Sequence, residues 1–374
     1  MKKIYFKTLV AAMAIAGVSC SRLEYDTVNQ ETELPNAVYF EGVSESPMQK
    51  VAVDNTGGEA QITLRAANIV NNDVTLSLAV DTVALEKYNK ENGTSYKLLP
   101  AKFYKLSANE TVIKAGTISA SAIKVNISPL DSTLNEAYKY AIPLRIVGDK
   151  VSDINVLKSS NALIFGLDRM LETDVLRQSG FYMQVDFPTP LQMTEWTIQY
   201  GFQIDGQKGN QSILSGNFYS RVESNGSLQF KTGETDDPKA FAKQKIVAGK
   251  FYHLAFVYKN QHVKLYLNGV LDNEFDVAKC EEFPKFNMSW GIFSGYVRDI
   301  RVYNKALSAF QIKENLYVED PTNPDLVLYA PLTKKTKLKD VTKNNNHFKT
   351  YKSGGTEITD ESILTWKTWI FPEK

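Results

Sequence analysis

The amino-acid sequence predicts an all-β protein of two domains, on three observations. Apolar residues alternate in short runs, as in Val74, Leu76, Leu78 and Val80 and again in Ile123, Val125 and Ile127, a period that lines one face of a strand. Tight-turn pairs punctuate the second half, with Asn225-Gly226 and Asn268-Gly269 each set between two such runs. The 19 Tyr and 19 Phe far outnumber the 4 Trp, an aromatic load suited to half-buried pleated surfaces.

The 374 residues leave room for a leader and two ordinary domains. Lys2, Lys3 and Lys7 flank the start of the chain, and Leu9 to Val18 form an apolar run too short to span a bilayer. Cys20 follows the small residue Ser19. This segment resembles a bacterial lipoprotein leader, which is cleaved before a Cys that then carries lipid. The resemblance implies that residues 1–20 are a signal peptide ending in a lipidated Cys20. An ordinary secretory peptide with an incidental Cys is the other reading. If Cys20 is lipidated, Cys280 has no partner within the chain, which excludes a disulfide-built scaffold. A formal net charge of +1 gives no basic field, so nucleic acid is excluded as a partner class.

Residues 21–36 are polar and aperiodic, a tether. Residues 37–165 form the first β domain. Tyr138, Tyr140, Ile142 and Leu144 alternate, and Pro143 on the opposite face predicts an edge strand. One helix interrupts, with Asp81 or Thr82 as N-cap, Leu85 and Tyr88 one turn apart, and Gly93 as its stop. About seven strands with this excursion read as a sandwich of immunoglobulin-like type. The phrases "YNKENGTSYKLLPAKFYKL", "IKAGTISASAIKVNI" and "YKYAIPLRI" resemble a domain of unknown function found near the N-terminus of Bacteroides-type surface lipoproteins. The motif residues Tyr88, Asn89, Gly93, Tyr96, Leu99, Pro100, Gly116, Tyr140 and Pro143 read as structural: a helix end, a turn and ring packing.

Alternation lapses and charge rises over residues 166–180, which predicts a linker, and residues 181–374 form the second domain. Strand signals there are closely spaced. Leu254, Phe256 and Tyr258 face Val263, Leu265 and Leu267 across a hairpin, and a helix is expected with Leu307, Phe310, Ile312 and Leu316 inward. "FYHLAFVY", "VKLYLNG" and "GYVRDIRVYNKALSAFQI" resemble the laminin-G-like, concanavalin A-like jelly roll. The stretch 326–348 is similar to an opening strand of that fold, here supplied from the C-terminal side of a single jelly roll.

Asp272, Glu274 and Asp276 alternate on one strand and invite a hydrolase reading, since concanavalin A-like folds also host glycoside hydrolases. Alternate residues lie ~7 Å apart, within the ~6.5–9.5 Å of an inverting pair. Their place just after Asn268-Gly269 nevertheless predicts an outer hairpin strand with the acids in water and Phe275 and Val277 inward. Laminin-G-like domains often hold calcium, and by that resemblance Asp299 either ligates the ion or braces its turn. His253, His262 and His347 lack zinc spacing, and His253 reads as a satisfied interior residue. Sugar rings stack on exposed aromatic faces. Trp290, Tyr296, Phe218 and Tyr219 lie in or beside loops and are the candidate carbohydrate-binding residues, with core packing as the bland reading of each; Trp196 reads as core.

The two resemblances together imply a non-catalytic, cell-surface glycan-binding lipoprotein of a polysaccharide-utilisation system. It would be anchored in the outer membrane by lipid, with a glycan and outer-membrane transport proteins as partners. Glu24 and Asp26, close behind the Cys, resemble the acidic export signal of outer-surface lipoproteins. A glycoside hydrolase and an adhesion protein are the alternatives.

Overall fold

The computed structural model describes residues 35–43, 45–131, 133–135, 138–232, 240–289 and 292–372. The leader, Cys20, the tether up to residue 34 and Trp290 lie outside the described residues. The architecture is all-β, with one sandwich following the other along the chain.

In the first domain, strand Tyr140–Ile146 lies between Val74–Val80 and Ala162–Arg169, and the last of these runs parallel to Met48–Val53. Phe40, Leu76, Ile142 and Phe165 meet in its core. The alternation seen in the sequence therefore reports a true inner face. Pro143, however, sits on an interior strand and not at an edge. Its carbonyl accepts the Asp81 amide at 3.0 Å, on the side where the neighbouring strand ends at Val80. Amide and carbonyl of one strand residue point to the same side, so the missing N–H removes no ladder bond. Helix α1 (Thr82–Asn92) begins there, with the Asp81 carboxylate accepting from the Ala84 amide, and ends at Gly93 with φ 61°.

No linker separates the domains. Ala162–Arg169 belongs to the first domain, Leu171–Ser179 to the second, and only Met170 stands between them. The expectation of a linker failed because both faces of Leu171–Ser179 are covered. Val175 packs into an outer cluster and Leu176 into the inner core, so the apolar pattern no longer alternates.

The second domain packs two sheets face to face over Trp196, Phe202, Phe256 and Phe283. Among the described residues the first sheet runs in the order Val270–Asp276, His262–Leu267, Tyr252–Lys259, Glu195–Ile204, Ser294–Tyr303, Leu171–Ser179, Trp366–Phe371. Leu326–Ala330 pairs with Ser294–Tyr303, while Lys349–Tyr351 joins the second sheet, so the tail completes both layers of one jelly roll. Helix α2 (Ala309–Glu314) opens with a capping box between Ser308 and Gln311. Ile312 and Leu307 are buried, but Phe310 points outward.

Helix α2 also meets the first domain. The Glu314 carboxylate is 2.7 Å from Lys50 Nζ and accepts from the Tyr96 hydroxyl at 2.7 Å, with Lys139 Nζ at 3.6 Å. Burial pulls the Lys139 ammonium down to about 8. A methyl group at Gly93 would have to push aside the end of the Gln311 side chain, so α1 ends close against α2.

Candidate functional site

The outer face of the first sheet is shaped by one bulge. Along Ser294–Tyr303, Val297, Ile300 and Val302 enter the inner core. Opposite, Gln199 pairs with Arg301 and Gly201 with Arg298, so two steps on one strand match three on the other. The surplus residue is Asp299, with φ 61°. Residues three apart on a regular strand fall on opposite faces; because the bulge absorbs one step, Arg298 and Arg301 both lie on the outer face beside the Asp299 carboxylate.

All three are buried, at 5 %, 1 % and 0 % exposure for Arg298, Asp299 and Arg301. Arg301 grips Asp299 with two nitrogens, Nε at 3.0 Å and Nη2, and donates Nη1 to Gln199 Oε1 at 3.2 Å. Arg298 Nη2 donates to the Tyr317 carbonyl at 3.1 Å and stays 3.6 Å from Asp299. Burial works against the Asp299 charge, but Arg301 and Arg298 outweigh it and hold its pKa below the ordinary value.

His253 and Arg298 are both register partners of Gly201, on strands to either side of it. A Cβ at Gly201 would lie 2.8 Å from Phe251 and 2.9 Å from Arg298, so its absence keeps the floor open. The result is a cavity of about 230 Å³ bounded by Phe251, His253, Arg298, Asp299, Tyr317 and Phe371. Neither ring nitrogen of His253 nor Arg298 Nε has a hydrogen-bond partner among the described residues. The expectation of a satisfied histidine is thus corrected: His253 is interior and lines the cavity, but its ring nitrogens have no hydrogen-bond partner among the described residues. Burial, reinforced by Arg301, pushes its pKa down to about 3, so the ring is neutral.

Aromatic rings lead out of the cavity. Tyr317, Phe371, Phe251, Trp369 and Tyr296 follow one another with centroids 5.4, 4.9, 5.5 and 6.1 Å apart. Arg177 lies 5.1 Å over the Tyr296 ring and Lys367 4.7 Å over Trp369. Tyr296 therefore stands at the outer end of this row, beyond the residues that line the cavity. Tyr219 is not in the row: it faces outward from the second sheet, on the other side of the sandwich, with Arg221 and Lys231 each 5.8 Å from its ring. Phe218 is a correction. It is a core residue, 2 % exposed and edge-on to Trp196 and Phe256.

Asp299 is corrected as a metal ligand too. Both its oxygens are taken by Arg301 with Arg298 alongside, which is the wrong charge environment for a cation. It braces the bulge. The carboxylate ladder is broken by another bulge, where Asp272 accepts the amides of Lys243 and Gln244 at 2.6 and 2.9 Å. Glu274 and Asp276 stay in water around His262. Cys280 is buried, and burial pushes its thiol up to about 12, which leaves it unreactive.

Sequence reasoning missed Arg298, Phe251, Trp369 and Phe371 as site residues. One signal was present: the apolar spacing Val297, Ile300, Val302 changes from three to two, the mark of an inserted strand residue.

Comparison with known proteins adds the family context. Residues 178–313 match the model of the concanavalin A-like lectin/glucanases superfamily, and residues 32–153 match the model of a family of N-terminal domains. No curated protein matches. Among solved structures, a candidate carbohydrate binding protein from Bacteroides ovatus is 22% identical, with TM-score 0.55, over 89% of this chain and 97% of that one. A two-domain protein of unknown function from Bacteroides fragilis is 10% identical over 70% of this chain and 89% of that one, with TM-score 0.31. Bacteroides thetaiotaomicron EndoBT-3987 with its Man5GlcNAc product is 24% identical over 35% of this chain and 30% of that one, with TM-score 0.29. The chain therefore joins an N-terminal β-sandwich domain of that family to a laminin-G-like domain of the concanavalin A-like superfamily.

Proposed function

We propose that this protein is a non-catalytic glycan-binding lipoprotein, held at the outer membrane by Cys20 and facing the cell surface as part of a polysaccharide-utilisation system. The observation that carries the binding reading is the row of rings from Tyr296 and Trp369 toward a cavity where both His253 ring nitrogens and Arg298 Nε lack partners among the described residues. Sugars present apolar ring faces and paired donor–acceptor hydroxyls, and such a surface meets both. The Bacteroides ovatus protein of similar fold, named as a candidate for carbohydrate binding, agrees with this reading. Bond cleavage would need two carboxyl groups poised about a glycosidic bond. The carboxylate that lines this cavity, Asp299, is committed to Arg301 instead.

Affinity electrophoresis of the full chain across a polysaccharide panel should show retardation on at least one polymer, lost in Trp369→Ala and Tyr296→Ala. Release of reducing sugar from any polymer would replace this reading with a hydrolase. No retardation anywhere, with a protein partner recovered instead, would support adhesion. Cys20→Ala should free the protein from the membrane fraction or leave its precursor uncleaved, and protease added to whole cells should degrade the wild type.

A further inference from the structure

We propose that the enclosed end of this face receives one carboxylate-bearing sugar unit, its carboxylate against Arg298 and its hydroxyls against His253. This deepens the glycan-binding reading and rests on it.

The charge balance inside the cavity is the first ground. Arg298 and Arg301 share one carboxylate, and Arg301 holds both of its oxygens. Arg298 keeps only a carbonyl contact at 3.1 Å and a 3.6 Å edge to Asp299, and its Nε donates to nothing among the described residues. A guanidinium 5 % exposed, with its counter-ion already committed, is a buried charge short of an anion. Lys250 lines the same cavity and adds to the positive excess. A carboxylate repairs that shortage; a neutral ligand or a water does not.

His253 supplies the next ground. Its neutral ring offers one N–H donor and one acceptor nitrogen, both unmet, at 4 % exposure. A sugar hydroxyl accepts from one such atom and donates to the other. Carboxylate and hydroxyls on a single ring describe a sugar acid.

Size is the third. The volume, about 230 Å³, falls below the roughly 300–1,000 Å³ of pockets for drug-sized ligands. That is room for one ring and not for a chain segment, whose remaining units would lie along Trp369 and Tyr296 outside.

The test is calorimetry on the full chain with glucuronate, galacturonate and N-acetylneuraminate, each beside its methyl ester, with galactose and acetate as references. Polygalacturonate and its methyl-esterified form repeat the comparison on polymers. At least one sugar acid should bind about tenfold or more tightly than its ester, as expected for a charge-assisted hydrogen bond, and acetate should bind far more weakly. Arg298→Gln, which removes the charge, should erase the preference for acid over ester. Trp369→Ala should weaken acidic and esterified polymers alike and leave their ratio unchanged. Equal affinity for acid and ester, or binding of neutral glycans alone, overturns the acidic-sugar assignment while glycan binding stands. Acetate binding as tightly as the sugar acids overturns the sugar part. If no glycan of either kind binds, both readings fall. The ligand-pair comparison uses the wild type and does not depend on any variant folding.

Discussion

Two groups of ionisable side chains lie on neighbouring strands of one sheet and behave in opposite ways. Around His262, at the hairpin, Asp276 contacts Nδ1 at 2.8 Å and Glu274 contacts Nε2 at 3.4 Å, and Asp276 is 92 % exposed. Around His253, on the adjoining strand, Arg298, Asp299 and Arg301 are buried and the imidazole has no partner among the described residues. Along the chain, the hairpin group has the pattern of a reactive centre. In space its charges are solvated, and solvated pairs contribute little. The group around His253 carries no such pattern in sequence, yet desolvation makes every pairing and every missing partner there count. Burial, not residue type, separates a site from a surface.

The largest effect expected is at the buried end. Asp299→Asn leaves two buried guanidinium groups without their shared anion and should destabilise the second domain by about 3–5 kcal/mol, read as a fall in urea midpoint. A change of less than about 1 kcal/mol there would erase the contrast with the hairpin.

Acid titration comes next. His253 is neutral in the folded state, with its pKa depressed to about 3. The unfolded chain binds the extra proton between about pH 6.5 and 3, so stability should fall as pH drops through that window, by up to about 1.4 kcal/mol per unit. His253→Gln should flatten the curve. His262 has the opposite sign: Asp276, and less strongly Glu274, raise its pKa. Its contribution is present below about pH 6.5 and lost as pH rises through the raised value, and salt should weaken it.

Glu314 is the intermediate case. It is largely buried at the domain junction, between Lys50, Tyr96 and Lys139. Glu314→Gln should cost about 1.5–3 kcal/mol of coupling between the domains, seen as a split of one unfolding transition into two. The smallest effect belongs to the hairpin. Glu274→Gln with Asp276→Asn should change stability by less than about 1 kcal/mol, and chemical denaturation will place it on the same scale.

What was legible in the sequence follows from what a single strand can report. Alternation located the inner faces, and Asp81 and Gly93 set the ends of α1 where expected. Alternation does not say which of two adjacent rings turns inward. Phe218 and Tyr219 were equal candidates until cross-strand packing chose Phe218 for the core. Trp366 and Trp369, three apart on one strand, fall on different faces. Trp366 donates Nε1 to the Leu332 carbonyl at the inner core, and Trp369 stands in the outer row. The cavity itself needed the register of three strands at Gly201 and the surplus residue at Asp299. Neither is a property of any one segment. The linker expected over 166–180 proved to be strand for a related reason, since its charge marks a strand covered on both faces and not a loop, while the passage between sheets at Met170 does fall within that stretch.

The direct passage from Arg169 through Met170 into Leu171 has a mechanical consequence. Strand Met48–Val53 runs parallel to the strand that ends at Arg169, in register from Met48 with Ile164 to Val53 with Arg169. On the proposed anchorage, tension from a held glycan pulls one of these strands at its N-terminal end and the other at its C-terminal end. Parallel strands drawn that way slide along each other, so the rungs between them share the load instead of parting one at a time. The first domain would then act as a stiff coupling, yielding in a force-ramp measurement as one abrupt high-force step. A gradual extension at low force would mean that the load takes another path.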